Sequence, residues 1–337
     1  KLIANQSKTC VIKPEIPCRY KQTKKKSIKN KRISTIIFSD NSQKINHEHL
    51  MNQKIKSINH YQEWALVFDE FCRPPHKQKI YKLDPSFRKC MKDKKTKFKK
   101  NFKKYSYMMN GIYGGISLGE HFKHMKFNEH TFLKLMNQML PIFKGITILT
   151  KHNISHSDIK YGNIVFHKDV FKLIDFGLSC QLSDHKRMKQ RSYNEFQTNR
   201  IYQFYPLEFI YYSANKSELH EELSYYKERR NYKLFTLVNT LFQRNTETIV
   251  HETIHKMKSK KSIHSKLLFE KLDVYSLGIV IPLLFLKQKH SLRLIFESDM
   301  IYDFFQLFNQ MTHPFYESRI SANIAFKQFK QLLQKYN

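Results

Sequence analysis

The chain has 337 residues, of which 41% are hydrophobic and 14% aromatic, and this content favours a globular protein and excludes a disordered one. Lysine and arginine number 60 against 28 aspartates and glutamates, which gives a formal net charge of +32. This charge favours attraction to a polyanion, such as nucleic acid or an acidic partner, or else it reflects only a composition rich in lysine.

The cysteines and the apolar runs set further limits. The cysteines show no C-x-x-C spacing, and their odd number favours reduced thiols in an intracellular, cytoplasmic protein. The most apolar run, LGIVIPLLFL at 277–286, is about half as long as a membrane-spanning helix, so no membrane span is expected. No signal peptide is recognisable in the first residues. The five cysteines are Cys10, Cys18, Cys72, Cys90 and Cys180.

Residues 1–110 predict a small β-rich lobe with basic connectors. The runs CVIK (10–13), STIIF (34–38) and WALVF (64–68) are typical of short strands. The most basic stretch, MKDKKTKFKKNFKK at 91–104, predicts a solvent-exposed loop or surface helix, with a polyanion-binding arm as the alternative.

Residues 111–337 predict a larger, mainly helical lobe. A long amphipathic helix is expected from about residue 128 to Asn153. NIVFH and VFKLID then predict a β-hairpin joined at Lys168-Asp169. Together the two parts predict an α+β, bilobal architecture. The apolar positions of the long helix are Phe132, Leu135, Met136, Met139, Phe143, Ile146 and Leu149.

Two short polar stretches carry the residues suited to chemistry. HSDIKYGN spans 156–163, and KLIDFG spans 172–177. An aspartate can accept a proton from a hydroxyl, and a lysine can balance the charge of a moving phosphoryl group. An asparagine with a second aspartate can hold a divalent cation through oxygen ligands. This combination favours phosphoryl transfer, which depends on positioning and charge neutralisation.

The pattern H-x-D-x-K-x-x-N followed by D-F-G resembles the protein kinase superfamily. The resemblance implies a bilobal kinase fold that uses ATP and Mg²⁺ (or Mn²⁺) to phosphorylate a protein substrate. It implies that Asp158 is the catalytic base and that Lys160 contacts the γ-phosphate. Asn163 and Asp175 would bind the metal, and Gly177 would lie beside the cofactor.

Further segments are similar to kinase motifs over nearly the whole chain. YPLE at 205–208 stands where kinases have A-P-E, and LDVYSLGIV at 272–280 resembles the segment whose aspartate, here Asp273, braces the catalytic loop. MTHPFYESRISA at 311–322 resembles the last kinase motif, which makes Arg319 the expected ion-pair partner of Glu208.

The segment YGGISLGEHF, at 113–122, resembles the stretch just beyond the kinase hinge. The resemblance therefore implies that adenine binds backbone groups near Met109 and Ile112. The opening KLIANQSKTCVIKPEIPC is similar to the start of Ser/Thr kinases of large cytoplasmic DNA viruses, and it implies that Val11 and Lys13 lie near the nucleotide. A long insert at about 209–272 also resembles that group. The resemblance to viral proteins implies that this protein could be packaged in a virion.

The nucleotide-binding half departs from the kinase pattern. Glycines that let backbone amides approach phosphates are replaced by Ala4, Gln6 and Thr9. No lysine is evident on the third strand, where Thr35 or Ile36 occupies its expected place. Glu48 is either the usual acidic partner of that lysine or an ordinary surface residue. Lys8 and Lys13, expected on the first two strands, either reach the phosphates or face solvent.

The activation segment at 178–204 also departs from the pattern. Ser157 replaces the arginine that receives an activating phosphate, which argues against this mode of control. Thr198 lies about three residues before the position of the threonine that bonds the catalytic lysine. Basic side chains in this segment either bind an acidic substrate or face water; they are Lys186, Arg187, Lys189 and Arg191.

Three functions remain open from the sequence. The first is an active serine/threonine protein kinase, because every residue that contacts the reacting groups is present. The second is a pseudokinase scaffold, favoured by the missing glycines and lysine. The third is a basic module that binds nucleic acid through the kinase fold.

Overall fold

The computed structural model of the protein describes residues 2–6, 8–19, 31–220, 222–259, 264–288 and 293–337. The chain divides into two compact units. The first unit comprises Lys1–Gly115 and Ile174–Gly177, and the second comprises Ile116–Leu173 and Leu178–Asn337. The first contains the main sheet and the second is mostly helical, as the α+β prediction requires.

An antiparallel sheet of five strands, in the order β1-β2-β3-β5-β4, forms the centre of the first unit. Its register places Thr35 opposite Val11 on one side and opposite Met109 on the other. The strands are β1 (Leu2–Gln6), β2 (Thr9–Ile12), β3 (Arg32–Phe38), β4 (Glu70–Cys72) and β5 (Ser106–Ile112).

The strand predicted for WALVF, at 64–68, is wrong. Trp64 and Ala65 are fully buried just after a short 3₁₀ turn at Tyr61–Glu63, and only the three residues of β4 pair with β5 further along the chain. The apolar run therefore reflects core packing, which periodicity alone does not distinguish from a buried strand.

Helices cover both faces of this sheet, and the alternation of side chains along β3 assigns each face. Ile36 and Phe38 belong to a core with Phe87. Ile37 packs instead with Ile45 and Met109. The helices are α1 (Ser42–Lys56), α2 (Lys77–Leu83), α3 (Phe87–Lys92), α4 (Thr96–Lys100) and α5 (Phe102–Tyr105).

The basic stretch at 91–104 forms short surface helices, as one of its two readings predicted. Phe98 and Phe102 are buried in the core of the first unit. Lys100 and Lys103, between and beside them, are exposed. Two aromatic anchors thus hold a row of lysines at the surface.

The expectation of reduced cysteines is wrong for four of the five. Cys10 is bonded to Cys90, and Cys18 to Cys72, with Cα–Cα distances of 6.0 and 5.9 Å. The paired residues are 80 and 54 positions apart, so that only the folded sheet and the segments packed on it bring them together. Cys180 is a free, buried thiol.

The second unit is built from helices with two small antiparallel pairs of strands, β6 with β9 and β7 with β8. The strands are β6 (Ile154–Ser155), β7 (Ile164–His167), β8 (Val170–Leu173) and β9 (Cys180–Gln181). The helices are α6 (Leu118–Lys123), α7 (Glu129–Lys151), α8 (His185–Phe196), α9 (Leu207–Tyr211), α10 (Leu223–Lys227), α11 (Tyr232–Leu241), α12 (Thr246–Ser259), α13 (Ser265–Glu270), α14 (Leu272–Lys287), α15 (Arg293–Phe296), α16 (Asp299–Met311) and α17 (Ala322–Tyr336).

The long predicted helix is confirmed as α7. Asn128 and Thr131 form a capping box at its start, in which each side chain accepts the other residue's backbone N–H. All seven predicted apolar positions are buried, and Phe143 stacks on Phe329 of α17 with ring centroids 3.7 Å apart. The helix therefore forms the core against which the following loop is built.

The predicted hairpin is confirmed as β7 and β8. Lys168 and Asp169 have φ values of 50° and 66°, the left-handed conformations that a two-residue turn of this kind needs. No helix in the described ranges is both long and apolar enough to cross a membrane.

Candidate active site

The loop between β6 and β7 is anchored by Asp273 of α14. The Asp273 carboxylate accepts hydrogen bonds from the backbone N–H groups of His156 and Ser157, at 2.6 and 2.9 Å. Burial raises the pKa of Asp273. The bracing role expected for this residue is confirmed, and it holds Ser157 at a left-handed φ of 58°.

Three predicted catalytic residues converge within this loop. Lys160 Nζ lies 2.7 Å from Asp158 Oδ2, and Asn163 Nδ2 donates to the same oxygen at 2.9 Å. Asn163 also donates to the backbone carbonyl of Asp158, at 3.0 Å. Asp158 is only 4% exposed. Its carboxylate is held in one orientation by the Lys160 ammonium and the Asn163 amide.

The second carboxylate oxygen of Asp158 contacts a residue that the sequence did not single out. The hydroxyl of Tyr202 donates to Asp158 Oδ1 at 3.3 Å. Burial, and then the negative charge of Asp158, raise the pKa of Tyr202, so this phenol keeps its proton. Thr198, the residue considered for this region, instead donates its hydroxyl to the Glu195 carbonyl.

A second tyrosine, directly after the activation segment, links Arg191 of that segment to the loop. The hydroxyl of Tyr205 donates to the Ser157 carbonyl and accepts a hydrogen bond from Arg191 Nε, at 3.0 Å in the latter case. Arg191 also pairs with Glu195, at 3.4 Å. An internal arginine–tyrosine link thus reaches the backbone of Ser157, the residue that stands in place of the phosphate-binding arginine.

The ion pair expected between Glu208 and Arg319 is confirmed. Arg319 Nη2 lies 2.8 Å from Glu208 Oε1, and both side chains are fully buried. The pKa of Glu208 is raised to about 7, because the effect of burial exceeds the opposite effect of the Arg319 charge. Arg319 Nε also donates to the His313 carbonyl, at 2.9 Å, so the guanidinium bridges separate segments of the second unit.

Asp175 and Gly177 lie in the first unit beside α1. Gly177 has no side chain, and a Cβ there would lie 3.2 Å from the carboxylate of Glu48. Burial, and then the charge of Asp175, raise the pKa of Glu48 to about 8. Glu48 is therefore no ordinary surface residue, since it faces the aspartate of the D-F-G motif.

The sheet explains why Glu48 lacks the lysine partner expected in this position. Thr35 and Ile37 lie on the α1 side of β3, and Ile36 lies on the other side. No residue of β3 is a lysine. Two carboxylates consequently approach each other without a cation supplied by this strand.

Of the remaining residues predicted to bind the cofactor, Val11, Met109 and Ile112 lie on the sheet of the first unit. The expectation that Lys8 and Lys13 lie on the first two strands is wrong, because both lie just outside β2. Met109 is buried with strand partners on both sides, whereas Ile112 is the exposed last residue of β5. Val11 is half-buried on β2. The Lys13 ammonium lies 4.1 Å from the centre of the Tyr113 ring, and Lys8 lies in the turn between β1 and β2. Asn110 also has a strand partner on both sides, so the backbone positions open to adenine begin at Gly111. The side chain of Gln6 lies outside the described residues.

The oxygen donors suit a divalent cation. Both hydrogen bonds of the Asn163 side chain within the described ranges use Nδ2, which leaves Oδ1 as a ligand. In the first unit, the Asp175 carboxylate is the second donor, and it lies close enough to Glu48 for its charge to add to the effect of burial in raising the pKa of Glu48. Amide and carboxylate oxygens are the ligands that Mg²⁺ prefers.

Comparison with known proteins places these residues in a family. The family model described as "Protein kinase domain" matches residues 20–203, which is more than half of the chain. "Calcium-dependent protein kinase 4" of Plasmodium berghei (strain Anka) and that of Plasmodium falciparum (isolate 3D7) are each 32% identical over 93 residues. That match covers 26% of this chain and 17% of each relative.

A crystal structure of a kinase domain is similar in fold. It aligns with a TM-score of 0.56 over 99% of this chain and 94% of its own, at 12% sequence identity. This likeness shows the kinase fold, with its β-sheet region followed by a mostly helical remainder.

Proposed function

Because this chain belongs to the protein kinase family, we propose that it transfers the γ-phosphate of ATP to serine or threonine hydroxyls of proteins. The observation that carries the proposal is the convergence of Lys160 and Asn163 on Asp158 in one braced loop. Lys160 favours serine and threonine over tyrosine as acceptors, because kinases specific for tyrosine have other residues in the corresponding loop.

The chain's own residues divide the work of the reaction. Asp158 orients the acceptor hydroxyl and takes its proton, and Lys160 balances the charge that spreads over the transferred phosphoryl group. Asn163 and Asp175 would hold Mg²⁺, which when bound to ATP offsets the charge of the phosphates. Asp273 acts earlier, since it fixes the loop before any substrate arrives.

Tyr202 adds a control to this arrangement. Its hydroxyl already occupies Asp158 Oδ1, the oxygen left open by Lys160 and Asn163. An acceptor hydroxyl must be within hydrogen-bond reach of the base to be deprotonated. The acceptor therefore has to displace Tyr202, and the contact inhibits the site until a substrate does so.

A specific observation favours a pseudokinase as the second candidate. β3 carries no lysine, and Glu48 faces Asp175 instead of a cation from that strand. A protein that holds nucleotide weakly, or not at all, can still use the kinase fold as a scaffold. The similarity of the opening residues to kinases of large cytoplasmic DNA viruses supports a viral origin for either candidate.

The test is transfer from γ-labelled ATP with Mg²⁺ or Mn²⁺ to one basic and one acidic acceptor protein. Asp175→Ala removes a proposed metal ligand, and Asp169→Ala, in the hairpin turn, is the matched control for losing an aspartate. We expect label on serine or threonine with the unchanged protein and the control, and none with Asp175→Ala. Equal, background labelling by all three proteins would favour the scaffold instead.

A further inference from the structure

A cavity in the first unit is lined mostly by basic side chains, and it has no part in the proposed transfer reaction. Its volume is about 660 Å³, within the range of sites that hold small molecules. We call it the basic cavity. It is lined by Arg19, Arg73, His76, Lys77, Gln78, Lys99, Lys100, Asn101, Phe102, Lys103 and Lys104.

No carboxylate of the described residues neutralises the charge of the basic cavity. Seven of its lining residues are lysine or arginine, and none is acidic. Within the described ranges, no carboxylate forms an ion pair with any of these seven. The sequence at 20–30, which follows Arg19, contains five lysines and no acidic residue, so it cannot supply the missing charge. Seven cations around one cavity repel each other, and a bound anion would relieve that repulsion.

Two arginines are held in place for such an anion. Arg73 Nη1 donates to the carbonyls of Lys104 and Ser106, at 3.2 and 2.9 Å, and its guanidinium lies 4.0 Å from the centre of the Tyr107 ring. Arg19 Nε donates to the Pro74 carbonyl at 3.1 Å. Arg19 Nη2 is buried and has no hydrogen-bond partner in the described part of the chain.

The disulfide between Cys18 and Cys72 fixes the spacing of these arginines. Each arginine directly follows one of the bonded cysteines, and the Arg19 N–H donates to the Arg73 carbonyl at 3.0 Å. Since guanidinium groups bind phosphate oxygens in pairs, two prepositioned arginines suit an anion with more than one phosphate.

We propose that the basic cavity binds a small anion that carries several clustered phosphate groups. The lysines sit around a single cavity rather than along a stripe, which favours a compact oligophosphate over an extended nucleic acid backbone. A soluble oligophosphate and the headgroup of a phosphorylated inositol lipid share this chemistry. The site does not depend on phosphotransfer, because none of its residues belongs to the catalytic loop.

The test is calorimetric titration with inorganic tripolyphosphate at constant ionic strength, which avoids binding through a nucleoside. The variant Lys103→Glu/Lys104→Glu reverses two exposed charges of the cavity. The matched control, Lys327→Glu/Lys330→Glu, reverses two exposed charges on α17. We expect the cavity variant to lose about tenfold or more in affinity, and the control less than about threefold.

Two further measurements make the outcome decisive. Arg19→Gln keeps a polar side chain in the lining but removes its charge, and it should weaken the affinity for tripolyphosphate by a similar factor. This variant replaces the double variant if that protein does not fold. Vesicles with a phosphorylated inositol lipid, competed with tripolyphosphate, distinguish a headgroup from a soluble ligand. Equal affinity in the cavity and control variants would overturn the proposal. Binding of duplex DNA but not of tripolyphosphate, weakened alike by both variants, would overturn it as well, because it would indicate a diffuse basic surface.

Discussion

Replacing Tyr202 with phenylalanine removes the hydroxyl that occupies Asp158 Oδ1 and leaves the rest of the ring in place. The hydrogen bond is 3.3 Å long, beyond the usual range for O–H···O contacts, so its strength lies near the lower limit for a charged acceptor. At about 1 kcal/mol, its removal should raise transfer to an added acceptor about fivefold. The gain arises because the acceptor no longer has to displace the phenol.

The assay compares initial rates of labelled phosphate transfer to a serine-containing acceptor at low acceptor concentration. Tyr302→Phe, an exposed tyrosine on α16, is the matched control and should leave the rate unchanged. A rate that falls in Tyr202→Phe would refute the reasoning, since it would mean that the phenol positions Asp158 for catalysis instead of blocking it.

Three further predictions concern stability. Arg319→Met leaves the buried Glu208 carboxylate unpaired and should cost about 3–5 kcal/mol in urea unfolding, whereas adding Glu208→Gln to it should recover part of that loss; equal stability of the single and double variants would contradict the pairing. In the presence of chelator, the folded protein keeps the Glu48 proton between pH 4.5 and about 8 while the unfolded chain releases it, so stability should fall as pH rises through this window. Glu48→Gln should flatten that dependence, and an unchanged slope would contradict the assignment. Cys18→Ser/Cys72→Ser should lower stability by about 2–4 kcal/mol in non-reducing buffer, with no difference from wild type once both are reduced.

Patterns that are local in the chain predicted their structures well. The spacing of apolar residues located α7, because a helix buries one face at a fixed period. The residues Lys168-Asp169 located the hairpin, because a two-residue turn between two apolar runs is also a local pattern. The pairing of Glu208 with Arg319 and the bracing by Asp273 followed from motif resemblance, and both are present in the structure. The predicted lobe boundary at residues 110 and 111 stays a prediction.

Contacts between distant residues escaped the sequence. The disulfides join cysteines that only the folded sheet and its helices bring together, so their pairing is not visible in the sequence. The odd number of cysteines therefore led to the wrong prediction of reduced thiols. Tyr202 lies 44 residues from Asp158, and nothing in its immediate surroundings marks it as a partner of the catalytic base. The run WALVF gave a wrong prediction for another reason. A short run of buried apolar residues shows no alternation, so its pattern does not distinguish a strand from a turn that packs in the core.

The central claim is that Asp158, held by Lys160 and Asn163, is the base of a phosphotransfer reaction. Single-turnover transfer from ATP should be compared in the wild type, in Asp158→Asn and in the exposed-turn control Asp169→Asn. Asparagine keeps the size of the side chain but cannot take the acceptor's proton, so Asp158→Asn should slow transfer by about 100-fold or more, with the control unchanged. Transfer at the wild-type rate in Asp158→Asn would contradict the claim.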